Sequence, residues 1–158
     1  MKKVGLCHGV FDVVHLGHIL HFKQAKKFCD YLIVSVTTDK HVNKGENRPM
    51  FSVKERVNFL KNIKAIDEVI ISNYPTAIEV IKKIKPKFYF KDVEYRKKDI
   101  TGNINKEINI LKKFGGTIIY TNEKKYSSSS IINNKFNKSD NFIKNIQLIK
   151  NLIPKNFL

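Results

Sequence analysis

Tryptophan is absent from this 158-residue chain, cysteine occurs twice, arginine three times and proline four times. Two cysteines, Cys7 and Cys29, are too few for a disulfide framework or a zinc site, and they point to a reducing, cytoplasmic setting. No apolar run approaches the roughly 20 residues that a membrane-spanning helix needs. No membrane partner is expected. Met1-Lys2-Lys3 runs straight into a strand-like segment without an apolar h-region or cleavage site, so no signal peptide is expected either. Acidic residues are also few, 14 against 30 basic ones, which leaves a net charge of +16. That excess is almost all lysine, scattered among asparagine and isoleucine with no interleaved aromatics. A nucleic-acid interface would be expected to use more arginine for bidentate contacts and aromatics for stacking. No nucleic-acid partner is therefore expected. The surplus reads as compositional drift whose field still attracts nucleotides and phosphorylated sugars.

What is present suits a globular protein, with 42% hydrophobic and 28% charged residues. A chain of this length buries roughly two-thirds of its unfolded surface and needs no staples. Strand-like runs alternate with helical periodicity. Strands are expected at 3–8, 31–37, 68–72, 88–90 and 117–121. Helices are expected over 18–29, from the Ser52/Glu55 capping box to about Ile63, from Pro75 through Ile84, and around Ile104–Leu111 before Gly115-Gly116. Residues 39–50 and 91–103 read as irregular. The alternation predicts an α/β fold with a Rossmann-like, doubly wound, five-stranded parallel sheet. Residues 1–138 form that domain. Residues 139–158 add a C-terminal amphipathic helix carrying Phe142, Ile143, Ile146 and Ile149 on one face, packed on its own domain or at a dimer interface. Ligands of such sheets bind beyond the carboxyl ends of the strands.

Four of the five histidines, His8, His15, His18 and His21, fall in one stretch around a glycine-punctuated loop. No Cys pair or H-E-x-x-H accompanies them, which argues against zinc. Gly9 and Gly17 let the backbone approach a ligand, and a helix starting near His18 points its free N–H groups at the same place. The pattern is a phosphate site containing two imidazoles. Gly9-Val10-Phe11-Asp12-Val13-Val14-His15-Leu16-Gly17-His18 resembles the G-x-F-D-x-x-H-x-G-H signature of the cytidylyltransferase-like nucleotidyltransferases. Lys44-Gly45-(x)2-Arg48-Pro49-(x)5-Glu55-Arg56 is similar to the K-G-x-x-R-P…E/Q-R stretch of heptose-phosphate adenylyltransferases, and a related stretch occurs in ethanolamine- and choline-phosphate cytidylyltransferases. Asp67-Glu68-Val69 resembles the family's V-D-E-V, and Ser127-Ser128-Ser129-(x)-Ile131 its S-T-T/S-x-I. The resemblance spans residues 3–135. It departs at Asn122–Tyr126, where the family has R-T-E-G-I, and at Lys91-Asp92-Val93-Glu94-Tyr95, where heptose enzymes have K-G-G-D-Y.

The resemblance implies attack by an acceptor phosphate on the α-phosphorus of a nucleoside triphosphate, with pyrophosphate leaving and no covalent intermediate. His15 and His18 would donate to the α- and β-phosphates, and Lys44 and Arg56 would hold the β- and γ-phosphates. Gly9, Val10, Phe11, Gly17, Lys91, Tyr95, Lys124, Ser127, Ser128 and Ser129 would line the nucleotide. Lys124 or Lys125 would replace the missing arginine. Asp12 and Arg48 would meet the acceptor, with turn-capping as the alternative for Asp12 and a solvated loop for Lys44 and Arg48. Mg²⁺ would be held by the phosphates rather than by protein ligands. The expected reaction is transfer of CMP from CTP to a phosphorylated sugar, polyol or alcohol by a homodimer. The alternatives are ATP-dependent formation of an ADP-sugar and a non-catalytic nucleotide-binding module.

Overall fold

The computed structural model describes residues 2–45, 47–97 and 102–122. Five strands form one all-parallel sheet: β1 (Val4–Gly9), β2 (Tyr31–Thr37), β3 (Glu68–Ser72), β4 (Phe88–Asp92) and β5 (Thr117–Thr121). Their spatial order is β3-β2-β1-β4-β5. The chain thus winds outward from β1 to one edge, then returns to β1 and winds to the other. The sheet opens at its switch point, between the carboxyl ends of β1 and β4.

Pleat alternation sorts the side chains into two core layers. Cys7, Leu32, Val34, Val36 and Phe90 pack against Phe22 and Ala25 of α1 (Leu16–Lys26) and Val57 and Leu60 of α2 (Val53–Lys61). Leu6, Ile33 and Tyr89 face the opposite side, against Val80 and Ile81 of α3 (Ile78–Ile84) and Ile104 and Leu111 of α5 (Ile104–Lys113). The sheet is covered on both faces, which is why β2 reads as an almost unbroken apolar run. Both cysteines are buried free thiols. A Cβ on Gly5 would lie 2.7 Å from Cys29 Sγ and from Phe90 Cε2, so Cys29, in the turn that follows α1, presses on β1 where only glycine leaves room.

The Rossmann-like sheet and four of its helices follow the sequence reading, with local corrections. The first helix starts at Leu16, because His15 already takes the extended N-cap conformation, and it ends at Lys26. Pro75 lies in a bend upstream of α3 rather than in its first turn. The capping box does open α2: Ser52 Oγ accepts from Glu55 N at 3.4 Å and Glu55 Oε2 accepts from Ser52 N at 2.8 Å. Two short elements occupy stretches read as irregular, a 3₁₀ turn at Asp39–His41 and α4 (Glu94–Lys97). Asp67 of the D-E-V stretch accepts from Leu32 N at 2.6 Å and Lys26 Nζ at 2.5 Å, tying the start of β2 to the end of α1. Among the described residues no helix is long and apolar enough to cross a membrane. The domain limit at 138 and the helix expected over 139–158 lie outside the described residues.

Candidate active site

The loop between β1 and α1 is shaped by Phe11. Its backbone is left-handed (φ 51°), a conformation a bulky residue adopts only when its surroundings hold it there. The ring folds back over Gly9, where an added Cβ would meet Phe11 Cζ at 3.1 Å, and lies edge-on to His18 with centroids 5.5 Å apart. Gly9 and Phe11 thus make one unit that sets the height of the following loop. Gly17 is buried in the first turn of α1.

The His15 and His18 rings lie close together, with centroids 4.0 Å apart and planes tilted by 30°. The His15 backbone N–H donates to His18 Nδ1 at 3.3 Å. An Nδ1 that accepts leaves the proton of the neutral ring on Nε2, as a hydrogen-bond donor. The His18 pKa falls to about 3, through burial first and then because a proton on it would be repelled by protonated His15 and His21 and by Lys44. Burial lowers His15 as well. Both imidazoles are therefore neutral N–H donors at physiological pH.

A second tier lies beneath them. His8 at the end of β1 sits between Ser35 Oγ at 3.2 Å and Thr37 Oγ1 at 3.5 Å. His21 Nδ1 lies 2.6 Å from Thr121 Oγ1, joining α1 to the end of β5. Burial, then the nearby Lys91 charge, lowers His8 to about 3 and His21 to about 4. Lys91 is 7% exposed, its Nζ 3.8 Å from Glu107 Oε2 and 4.7 Å from the Tyr95 ring centroid. Glu107 also accepts from Tyr89 Oη and from the Ala77 N–H, each at 3.0 Å. Lys91, expected at the nucleotide, is thus enclosed below the imidazoles and paired with an acid from α5. Sequence reasoning gave no role to His8, His21 or Glu107. Position 107 lies on the apolar face with Ile104, Ile108 and Leu111, and an acid there is the signal of a buried partner.

The loop leading into α2 is fastened from two sides. Asp12, 4% exposed, accepts at Oδ1 from Met50 N (2.8 Å) and Phe51 N (3.2 Å), and at Oδ2 from Arg48 Nε (2.6 Å). Arg56, expected at the β- and γ-phosphates, is buried and bound to protein oxygens. It is 1% exposed. Its Nε donates to the Phe51 carbonyl at 3.0 Å, Nη1 to the Val10 carbonyl, and Nη2 to the Thr37 carbonyl at 2.9 Å and Asp39 Oδ1 at 2.5 Å. Four of its five N–H donors go to protein oxygens, joining the β1 loop, the end of β2 and the entry to α2. Lys44 remains on the exposed part of the loop. Crowding of its ammonium by protein lowers its pKa, Arg48 lowers it further, and Asp12 opposes both. Lys124, Ser127, Ser128 and Ser129 lie outside the described residues.

Neutral imidazole donors, the free N–H groups of α1 and the Lys44 charge thus converge where the sheet parts, an arrangement suited to a polyphosphate. In sequence, the chain is 35% identical to bifunctional protein HldE of a Nitratiruptor species over 70% of its own length and 24% of that protein's. It is 32% identical to bifunctional protein HldE of Aliarcobacter butzleri over 84% of its length and 29% of that protein's. The chain therefore spans about a quarter of the length of these curated relatives. In structure, it is similar to a lipopolysaccharide core biosynthesis protein from Thermoplasma volcanium, with a TM-score of 0.64, 24% identity, and coverage of 80% of this chain and all of that one. Pantoate-beta-alanine ligase from Francisella tularensis shares the fold at 15% identity and a TM-score of 0.60, over 96% of this chain and 71% of that one. Residues 6–134 match the cytidylyltransferase-like family, and with that match the chain belongs to the cytidylyltransferase-like family of nucleotidyltransferases.

Proposed function

We propose that this domain transfers an adenylyl group from ATP to a phosphorylated sugar, forming an ADP-sugar and releasing pyrophosphate. The sequence by itself favoured CTP. The HldE relatives, together with the Lys44-Gly45-(x)2-Arg48-Pro49 stretch that resembles heptose-phosphate adenylyltransferases, support ATP instead. The observation that carries the transfer reading is the close pair His15 and His18, with the His18 tautomer fixed by the His15 N–H.

An acceptor phosphate oxygen attacks the α-phosphorus, and the bond from that phosphorus to the bridging oxygen of the β-phosphate breaks. Both reactants are anions, and no proton need move. Catalysis is then positioning plus stabilisation of charge on the phosphoryl oxygens. The Nε2–H of His18 donates to such an oxygen, with His15 beside it, and the first turn of α1 adds backbone N–H groups and the positive end of its dipole. Lys44 draws the β- and γ-phosphates. Asp12 already accepts three hydrogen bonds. Among the described residues no cluster of three His, Cys, Asp or Glu side chains offers a metal cage. Mg²⁺ would come to this site on the triphosphate oxygens, neutralising charge there.

The test is pyrophosphate release from ATP and from CTP with a panel of sugar phosphates, alongside thermal melts with each nucleotide. ATP should give the larger rise in Tm and the faster release. A larger effect of CTP on both would restore the cytidylyl reading. Binding of nucleotide with no turnover on any phosphorylated acceptor would leave a non-catalytic module.

A further inference from the structure

His21 has one ring nitrogen that the fold uses and one that it does not. Nδ1 lies 2.6 Å from Thr121 Oγ1, and that hydroxyl is also 3.3 Å from the Lys91 carbonyl. A carbonyl only accepts, so the single Thr121 hydroxyl proton goes to Lys91. Thr121 Oγ1 then accepts from His21, which places the proton of the neutral imidazole on Nδ1. The pKa of about 4 keeps the ring neutral at physiological pH, so Nε2 retains its lone pair. This tautomer is the reverse of that of His18, whose Nδ1 accepts and whose Nε2 donates. Among the described residues no group hydrogen-bonds to His21 Nε2, and the residue is only half-buried.

Helix geometry says what that nitrogen would meet. His18 and His21 lie three residues apart on α1, neighbours on one helix face with about 5–6 Å between Cβ atoms. Thr121 holds His21 at the carboxyl end of β5. Along α1 the site therefore offers first a donor and then an acceptor. Ionised phosphate oxygens only accept, and Nε2 of His21 has nothing to give them. A hydroxyl can donate to it. In a nucleotide the ribose is joined to the α-phosphate by only an oxygen and a methylene, a length of the same order as the spacing of the two histidines. We propose that His21 Nε2 accepts a hydrogen bond from a ribose hydroxyl of the nucleotide and so selects ribonucleotides over deoxyribonucleotides. The inference rests on the nucleotidyl-transfer reading for its ligand, and it holds for ATP and CTP alike.

Isothermal titration of ATP, 2′-deoxy-ATP and 3′-deoxy-ATP into the whole chain, with Mg²⁺ and no acceptor, tests this, with the matching CTP series alongside. Wild type should bind the ribonucleotide roughly five- to thirtyfold more tightly than one of its deoxy forms, the loss expected when a hydrogen-bond partner is removed. His21→Asn keeps an amide N–H where Nδ1 sits, which preserves the tie to Thr121, but nothing reaches the Nε2 position. It should bind the three nucleotides with nearly equal affinity while its Tm stays near that of wild type. His21→Gln puts its amide oxygen near the Nε2 position and should keep part of the preference, even where loss of the Thr121 tie lowers Tm. A merely structural histidine would change Tm and leave the preference alone. Wild type that shows no preference in either series, or His21→Asn that retains it in full, overturns the assignment. A chain that binds neither nucleotide series overturns it together with the transfer reading. A preference that depends on His21 in a protein releasing no pyrophosphate would sink the transfer reading and leave the ribose contact standing.

Discussion

At the scale of single residues, chemistry and stability are divided between two histidine tiers. In the proposed reaction His15 and His18 would face the triphosphate, and removing one preorganised donor typically costs a hundred- to a thousandfold in turnover, roughly 3–4 kcal/mol. His15→Ala and His18→Ala should therefore lower kcat by about that factor, with KM for the triphosphate and Tm moving far less. Near-normal kcat in both, with an acceptor that wild type uses, would remove them from the chemistry. Burial also sets a pH dependence. His8 and His18 are lowered to about 3 and His21 to about 4, whereas the unfolded chain titrates them near 6.5. Below that pH the unfolded state binds protons that the native state refuses, so stability falls as pH drops from about 6.5 towards 3–4 and is fully present above it. Urea midpoints measured between about pH 7 and pH 4.5 should decline steadily, and less steeply in His21→Gln. A flat series would mean that these imidazoles are not held neutral. The sequence showed where the histidines cluster. It could not divide them, because a histidine at the end of β1 and one at the N-cap of α1 look alike until the surrounding packing is known.

At the scale of elements, α2 is the tie between β1, β2 and the loop before it. Arg56 reaches three backbone carbonyls and one carboxylate. Arg56→Met leaves those carbonyls without their donor and should cost roughly 2–4 kcal/mol, somewhat less than breaking a fully buried ion pair. The discount reflects Asp39, whose side chain keeps 43% of its surface exposed. Denaturant unfolding of Arg56→Met and Arg56→Lys decides between clamp and phosphate ligand. A clamp loses stability in both variants, whereas a phosphate ligand would raise KM and leave the unfolding midpoint alone. The scarcity of arginine marked Arg56 as important, yet composition could not say whether its donors faced solvent or the interior. Strand positions were more legible, since a sheet covered on both faces leaves continuous β-branched runs such as Tyr31–Thr37. The four-residue α4 was not, because one turn is too short to show a period.

At the scale of the whole molecule, the chain carries a net charge of +16, whereas the histidines of the candidate site are neutral. In the proposed reaction that surplus would draw anionic substrates without placing charge on the imidazoles. Raising ionic strength from about 0.05 to 0.5 M should lower kcat/KM for the triphosphate several-fold while kcat holds, because screening shortens the reach of the field. Steady-state kinetics in KCl check this, and a kcat that fell in step with kcat/KM would place the salt effect in the chemistry instead. The buried thiols have a practical consequence. Cys7 and Cys29 are the only cysteines in the chain, both are enclosed, and burial raises the pKa of Cys29, so neither offers a ready thiolate. The protein is therefore a silent background for maleimide chemistry. Leu16, 53% exposed and next in sequence to His15, can take an engineered thiol and a fluorophore. A dye at that position would report the arrival of each nucleotide in real time, with no native sulfur competing for the label.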